Sequence, residues 1–198
     1  MRTWLASISA AVLGTVALVW ATDGGRAFTA ETARRLAVSK HAMAVPDLRL
    51  QLQTGAQARL RELEGELVVA TFIYTRCRTM CPMLGTRMAR IRGQLPESAV
   101  GSEVRLLSLS FDPARDTPDR LRAYGDRYGA EPASWWVARP RSGLERVLDE
   151  LGVVVLPDGN GGFRHNAAFY LIDRKGRLVA ILDDKRPEAV VRAVEKRL

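Results

Sequence analysis

The sequence is poor in cysteine, histidine and lysine. Its 198 residues include two cysteines, two histidines and four lysines, yet 30 basic against 22 acidic residues leave a net charge of +8. Two cysteines are too few for a disulfide framework or for a four-cysteine zinc site. The arginines are scattered, which is not the pattern of a nucleic-acid-binding surface, so we expect no nucleic-acid partner. Scattered positive charge fits attraction to anionic lipid or to an acidic protein.

Long uncharged runs are also scarce, and the longest lies at the start of the chain. Thr3 to Thr22 contains no charged residue, and Arg2 precedes it. A basic residue followed by an apolar run is typical of a secretory signal peptide or a membrane anchor. We therefore predict a signal or anchor over residues 1–22, a linker with about one helical turn over 23–43, and one exported domain over 44–198.

The hydrophobic pattern of the domain predicts an α/β fold. Residues 67–74, LVVATFIY, form a continuous apolar run typical of a strand that is buried on both faces. A helix is expected after Pro82 and a second buried strand over 104–110, followed by a helix from Pro118. Strands over 167–172 and 177–182 form a hairpin, and a last helix begins at Pro187. A βαβ half followed by a ββα half predicts a thioredoxin-like fold, with a central mixed sheet flanked by helices.

Both cysteines, Cys77 and Cys81, lie in the segment YTRCRTMCP, between the first buried strand and its helix. Functional sites in α/β proteins lie at this end of a parallel strand. A spacing of four places both sulfurs on one side if the segment is helical. The helix start and nearby arginines predict a pKa below about 8.5 for Cys77 or Cys81. Inert packing, an inert disulfide, a redox pair and a metal site are the alternatives.

His165 is the histidine inside the predicted domain. It follows a glycine-rich turn and directly precedes a predicted strand. A lone histidine is often structural, but an imidazole with two thiolates suits copper or zinc. A closed structural zinc site requires a fourth ligand, for which the sequence offers no further cysteine or histidine.

Asp112 and Asp116 form a second candidate pair. Prolines at 113 and 118 predict a turn here, and aspartates accept hydrogen bonds in turns. A turn-stabilising role is therefore the simpler interpretation. The functional alternative is that these carboxylates orient the residues that bind a metal.

Three segments of the chain resemble the SCO/SenC family of membrane-tethered, thioredoxin-fold copper proteins. FIYTRCRTMCPML resembles its CxxxCP copper motif, LSFDPARDTPDRLRAY its DPxxDTP segment, and HNAAFYLIDRKGRLV its histidine-before-strand segment. The resemblance implies that Cys77, Cys81 and His165 are three copper ligands. Many family members have proline and aspartate after the first cysteine, whereas this chain has Arg78, Thr79 and Met80 between the cysteines.

The resemblance also implies a function, namely a metallochaperone that assists assembly of the copper centre of cytochrome c oxidase. The copper ion, Cu(I) or Cu(II), would pass to an oxidase subunit, and a periplasmic thiol reductant would keep the cysteines reduced. The protein would lie on the periplasmic side of the inner membrane, anchored or released. The alternative is a periplasmic thiol-disulfide oxidoreductase with Cys77 and Cys81 as catalytic residues and His165 as base or orienting group. A redox or copper sensor is a third class.

Overall fold

A computed structural model describes residues 2–22, 24–25, 29–77 and 80–198 of the chain. These divide into two units, residues 1–41 and 42–198. The first unit contains helices α1 (Arg2–Ala21) and α2 (Ala30–Lys40). No helix within the described residues combines the length and the apolar character that membrane crossing requires.

Helix α2 lies in the segment for which the sequence predicted a linker with about one helical turn. Thr29 precedes α2 in an extended conformation, and its hydroxyl accepts a hydrogen bond from the Thr32 backbone N–H at 3.1 Å. Glu31 and Arg35 form an ion pair one turn apart. Such a cap and ion pair stabilise a helix end without an apolar periodicity. The expectation of only one helical turn was therefore wrong.

The second unit is built on a mixed sheet of eight strands. The strands of this sheet are β1 (Met43–Ala44), β2 (Arg49–Leu52), β3 (Gln57–Arg59), β4 (Leu67–Ile73), β5 (Val104–Ser110), β6 (Trp135–Pro140), β9 (Ala168–Ile172) and β10 (Arg177–Asp183). Their order is β1-β10-β9-β4-β5-β6-β2-β3. Neighbouring strands β4, β5 and β6 run parallel, and the remaining pairs are antiparallel.

Two further strands, β7 (Val155–Pro157) and β8 (Phe163–His165), pair only with each other within the described residues. They form a separate two-stranded hairpin, residues 155–165, which we call the β7–β8 hairpin. The helices of this unit are α3 (Met80–Gln94), α4 (Pro118–Tyr128), α5 (Leu144–Leu151) and α6 (Pro187–Glu195), and a short 3-10 helix covers Leu60–Leu63.

Strand β4 forms the centre of the core, as its apolar sequence predicts. All seven of its residues are buried, between β5 and β9. Helix α3 follows and buries Leu84, Met88 and Ile91, whose spacing places them on one face. The connection from β4 to α3 therefore leaves the core at the carboxyl end of a central strand, where both cysteines lie.

Gly85 allows α3 to approach α4 closely. A Cβ atom at this position would lie 2.5 Å from the Tyr128 ring at the end of α4, far inside van der Waals contact. Gly85 lies one helical turn after Cys81, so this contact supports the part of α3 that carries the cysteine.

Trp135 is buried in β6, whereas the neighbouring Trp136 is only half-buried, as expected for adjacent residues of a strand.

Candidate metal centre

The structure brings together the three residues that the sequence singled out. Cys77 lies in the loop after β4, Cys81 in the first turn of α3, and His165 at the end of β8. The Cys81 Sγ lies 4.0 Å from His165 Nε2, and the Cys77 Sγ accepts a hydrogen bond from the Cys81 backbone N–H at 3.2 Å. Cys81 is almost fully buried, whereas Cys77 is half-buried. The donor atoms thus come from three separate elements, and Cys81 contacts both of the other residues.

The separation of Cys81 Sγ and His165 Nε2 suits a shared metal ion. Metal–sulfur and metal–nitrogen bonds of about 2.3 and 2.0 Å, as in zinc sites, allow a sulfur–nitrogen separation of up to about 4.3 Å. Among the described residues, however, no three His, Cys, Asp or Glu side chains are already arranged as a metal-binding group. Of the two sulfurs, that of Cys77, which accepts a hydrogen bond from a backbone N–H, is the more exposed.

The protonation of Cys81 differs from the sequence prediction. A hydrogen bond with the Cys77 thiol and burial raise the pKa of the Cys81 thiol well above its usual value, although the Tyr74 backbone N–H opposes this shift. The prediction of a lowered pKa was therefore wrong for Cys81. The helix start does not outweigh burial, and two nearby arginines, Arg76 and Arg87, have other partners. Arg87 forms an ion pair with Asp184, and Arg76 donates to the Gly161 carbonyl.

His165 is held in an orientation suited to a ligand. Its Nδ1 lies 3.1 Å from the Asn166 carbonyl, which can only accept, so Nδ1 carries the proton and Nε2 keeps a lone pair towards Cys81. Burial lowers the pKa of His165, which favours the neutral, ligating imidazole. The Phe111 ring packs against the imidazole with centroids 4.9 Å apart.

Asp116 stabilises the loop that carries Cys77. It is fully buried, and its carboxylate accepts hydrogen bonds from the Ser110 hydroxyl at 2.5 Å and the Thr75 hydroxyl at 2.6 Å. The Thr75 backbone N–H donates to the same carboxylate at 3.0 Å. Asp112 is also buried and lies 3.7 Å from an Arg76 nitrogen. These contacts extend beyond the predicted turn, because Asp116 fixes the loop two residues before Cys77.

Sequence reasoning missed the contacts that tie the cysteine loop to the β7–β8 hairpin. The Tyr74 hydroxyl accepts from the Phe163 backbone N–H at 3.2 Å and donates to the Phe163 carbonyl at 3.4 Å. Arg76 reaches the Gly161 carbonyl at 2.8 Å. Tyr74 is the first residue of the cysteine segment YTRCRTMCP, but nothing in its sequence position indicates a partner 89 residues away. Arg78 and Thr79, which depart from the resembled motif, lie outside the described residues.

Comparison with known proteins identifies similar chains. The SCO1/SenC family profile matches residues 37–198. The SCO1 protein homolog of Bacillus subtilis is 29% identical over 133 residues, which are 65% of this chain and 68% of the relative.

Two solved structures share the fold. Bradyrhizobium japonicum ScoI with copper bound is 25% identical, with a TM-score of 0.67 over 78% of this chain and 99% of that one. BsSco, a member of the Sco family of cytochrome c oxidase assembly proteins, is 24% identical, with a TM-score of 0.68 over 79% of this chain and 94% of that one. These similarities confirm the predicted thioredoxin-like α/β fold.

Proposed function

This chain belongs to the SCO1/SenC family, and on that premise we propose that it is a copper-binding metallochaperone for cytochrome c oxidase assembly. Two similarities support the proposal. The ScoI protein of Bradyrhizobium japonicum has been solved with copper bound, and BsSco belongs to a family of cytochrome c oxidase assembly proteins. The acceptor would be the oxidase subunit that receives copper.

We assign the binding of the copper cargo to Cys77, Cys81 and His165. Thiolate and imidazole donors favour copper, and Cu(II) binds more tightly than zinc in the general order of affinities. Because the pKa of the Cys81 thiol is raised, this thiol is protonated in the metal-free protein and releases its proton on binding. Cys77 is the more accessible sulfur, so ligand exchange with an acceptor would begin there.

One observation carries the assignment. The Cys81 Sγ lies 4.0 Å from a His165 Nε2 whose lone pair is directed by the Nδ1 contact with Asn166. A histidine that served only packing would not require its unprotonated nitrogen to face the buried sulfur of a cysteine pair. The two residues are 84 positions apart in sequence, so the fold itself creates the pair.

The proposal requires a reductant and a location. A Cys77–Cys81 disulfide has no thiolate to offer, so we infer that a periplasmic thiol reductant is a second partner. Residues 1–22 would act as a signal or anchor that places the domain, residues 44–198, on the periplasmic side of the inner membrane, with residues 23–43 as the connection.

The test is copper uptake by the reduced full chain, followed by metal analysis and the visible thiolate-to-copper charge-transfer absorption. We expect one copper per wild-type chain and loss of tight binding in Cys77→Ser and Cys81→Ser. His165→Ala should weaken Cu(II) more than Cu(I), because two thiolates can hold Cu(I) in a linear arrangement. The matched control is His41→Ala, which removes the histidine of the first unit and should leave uptake unchanged. A reduced wild-type chain that takes up no copper would refute the chaperone function.

A second function is favoured by the contact between the two thiols. Cys77 is accessible enough to attack a partner disulfide, and Cys81 lies beside it to resolve the mixed disulfide. The chain dithiol would lose two electrons and two protons, and the partner disulfide would become two thiols. Unchanged copper binding in His165→Ala together with altered disulfide reduction would favour this oxidoreductase function over the chaperone.

A further inference from the structure

The loop that carries Cys77 borders a wide cleft. The cleft has a volume of about 1030 Å³ and lies between the loop after β4, helix α4 and the turn and second strand of the β7–β8 hairpin. Cys77 is part of its lining, together with Tyr74 and Phe163. Anything that occupies this cleft therefore lies directly beside the more accessible of the two sulfurs.

Arginines from all three elements line the cleft. Arg76 comes from the cysteine loop, Arg127 from α4 and Arg164 from β8, and among the described residues Asp158 supplies the one carboxylate of the lining. Asp158 is engaged by the backbone N–H groups of Asn160 and Gly162, which lower its pKa and keep it charged. The cleft is therefore positively charged overall.

The positive charge continues along α4. An adjoining cavity of about 240 Å³ shares Arg76 and Arg127 with the cleft and adds Arg120. Arg120 and Arg127 are seven residues apart in one helix, so they lie on the same face, two turns from each other. We call Arg76, Arg120, Arg127 and Arg164 the arginine rim.

Most of the arginine rim is not neutralised within the chain. Among residues 29–77 and 80–198, Arg120, Arg127 and Arg164 are exposed and take part in none of the ion pairs found. Most other arginines that line no part of the cleft have acidic partners, for example Arg122 with Asp119 on the same helix. Exposed charges left without partners at one site favour an oppositely charged ligand.

We infer that the arginine rim docks an acidic polypeptide segment of the protein that exchanges copper with this chain. This inference deepens the proposed function and rests on it for the role of the partner. The cleft with its adjoining cavity exceeds the volume of a typical small-molecule pocket, about 300–1,000 Å³, and its arginines are spread along a rim and do not converge on one point. That layout fits an extended chain with several carboxylates better than a single small anion.

Docking of the acidic segment would affect the rate and the geometry of copper exchange. Rim charges mainly steer association and fix orientation, so an acidic segment on the rim brings its protein to Cys77 in one register. Such contacts weaken as salt increases, because exposed charges are screened over about 8–10 Å.

The test measures binding of a fluorescein-labelled oligoglutamate peptide to the reduced, metal-free full chain by fluorescence anisotropy. We expect binding that weakens with salt and no binding of an oligolysine peptide. The double variant Arg127→Glu/Arg164→Glu should bind about tenfold more weakly, as two reversed surface charges imply. Arg127→Gln/Arg164→Gln, which only removes the charges, should show a smaller loss in the same direction.

The matched control is the double variant Arg122→Glu/Arg146→Glu, which makes the same change in net charge on exposed arginines outside the cleft. It should bind the peptide within about twofold of wild type. An equal loss in this control would overturn the inference, because net charge alone would then explain the binding. Binding of oligolysine as tight as that of oligoglutamate would also overturn it.

Two further measurements distinguish this docking site from a membrane-binding surface and from the proposed copper-binding function. The first is binding to vesicles of phosphatidylcholine with phosphatidylglycerol. If the chain binds these vesicles through Arg127 and Arg164 but does not bind oligoglutamate, the arginine rim recognises a membrane and the inference is overturned. Copper uptake is measured on the same variants and should match wild type. Peptide binding in a chain that takes up no copper would refute the proposed function alone, whereas copper uptake without peptide binding would refute the docking site alone.

Discussion

Cys81 and His165 face each other across 4.0 Å, but they belong to parts of the molecule that are held in different ways. Cys81 is in the first turn of α3, which packs into the core directly after the fully buried strand β4. His165 ends the small β7–β8 hairpin, in which Leu156 is 58% exposed, and the adjoining Val154 is 54% exposed. One proposed ligand is therefore supported by the core and the other by a peripheral hairpin.

The two sides also differ in what connects them. The thiol side, residues 74–77 and 80–85, is fixed by burial, by the Asp116 hydrogen bonds and by the close contact of Gly85 with Tyr128. The hairpin is attached to the thiol side through Tyr74 and Arg76, and its end is fixed by Asn166, which bonds to Val154 and Gly152. Changes on the thiol side should therefore cost global stability, whereas changes at the hairpin contacts should mainly alter the site.

The largest effect is expected where α3 meets α4. Gly85→Ala places a methyl group 2.5 Å from the Tyr128 ring and should lower the free energy of unfolding by about 2 kcal/mol, because the helices must separate. Chemical denaturation of the metal-free reduced chain measures this change. Copper uptake should weaken as well, since the displaced turn carries Cys81.

The same helix supplies the control for this substitution. Gly93 has no atom within 4 Å of its would-be Cβ, so Gly93→Ala should be neutral or stabilise by up to about 1 kcal/mol. Adding Tyr128→Ala to Gly85→Ala should cost less than the sum of the two single changes, because the clash is then removed. If Gly85→Ala is as harmless as Gly93→Ala, the thiol side is not fixed by this contact.

The elements of the thiol side were predictable, but their electrostatics were not. An apolar run predicted β4, and Pro82 predicted the start of a helix after it, because both signals are local in sequence. The pKa of Cys81 depends on burial and on the neighbouring thiol, which a helix-start argument does not include. Sequence spacing suggested that the two cysteines share a side, and ligand chemistry together with the resemblance to a known family connected them to His165, but neither gave the distance between them.

The hairpin contacts were beyond sequence reasoning altogether. Tyr74 bonds to Phe163 and Thr75 to Asp116, pairs that are 89 and 41 residues apart, and neither pair follows a periodicity or a charge pattern. Helix α2 was missed for the opposite reason, since its stability comes from a local cap and ion pair and not from an apolar face. Long-range polar contacts and local caps both escape an analysis based on hydrophobic patterns.

The next largest expected effect is the pH dependence of stability, which differs between the thiol side and the hairpin side. The folded state raises the pKa of Cys81 above the unfolded thiol value of about 8.5, so above that pH the folded state holds a proton that the unfolded state has lost. The stability of the reduced, metal-free chain should therefore fall by up to about 1.4 kcal/mol per pH unit between about pH 8.5 and 9.5. Urea unfolding across this range measures the slope.

Cys81→Ser provides the control for the alkaline slope, because it removes the titrating thiol and should flatten the curve. An unchanged slope in Cys81→Ser would contradict the assignment of the alkaline slope to Cys81.

On the hairpin side, the pH dependence of stability has the opposite sign. The pKa of His165 is lowered, so its contribution to stability is present above about pH 6.5 and is lost as the pH falls below that value.

The smallest effect on stability, and the most specific for the hairpin, is expected from Tyr74→Phe. The change removes one hydroxyl that bonds to both the N–H and the carbonyl of Phe163, and it keeps the ring contacts with Phe111 and Phe163. We expect a loss of about 1 kcal/mol in the free energy of unfolding. If the loss of about 1 kcal/mol destabilises the hairpin alone, copper affinity should drop about fivefold, because the hairpin then positions His165 less well.

Hydrogen exchange locates the effect of Tyr74→Phe. The Phe163 amide, which donates to the Tyr74 hydroxyl, should exchange faster, while the amides of β4 and β5 keep their protection. Tyr128→Phe is the control, because it removes a hydroxyl at the end of α4 and should leave the Phe163 amide unchanged. Equal loss of protection in the hairpin and the central strands would mean that the two sides open together, and the distinction between a core-supported thiol and a peripheral imidazole would then fail.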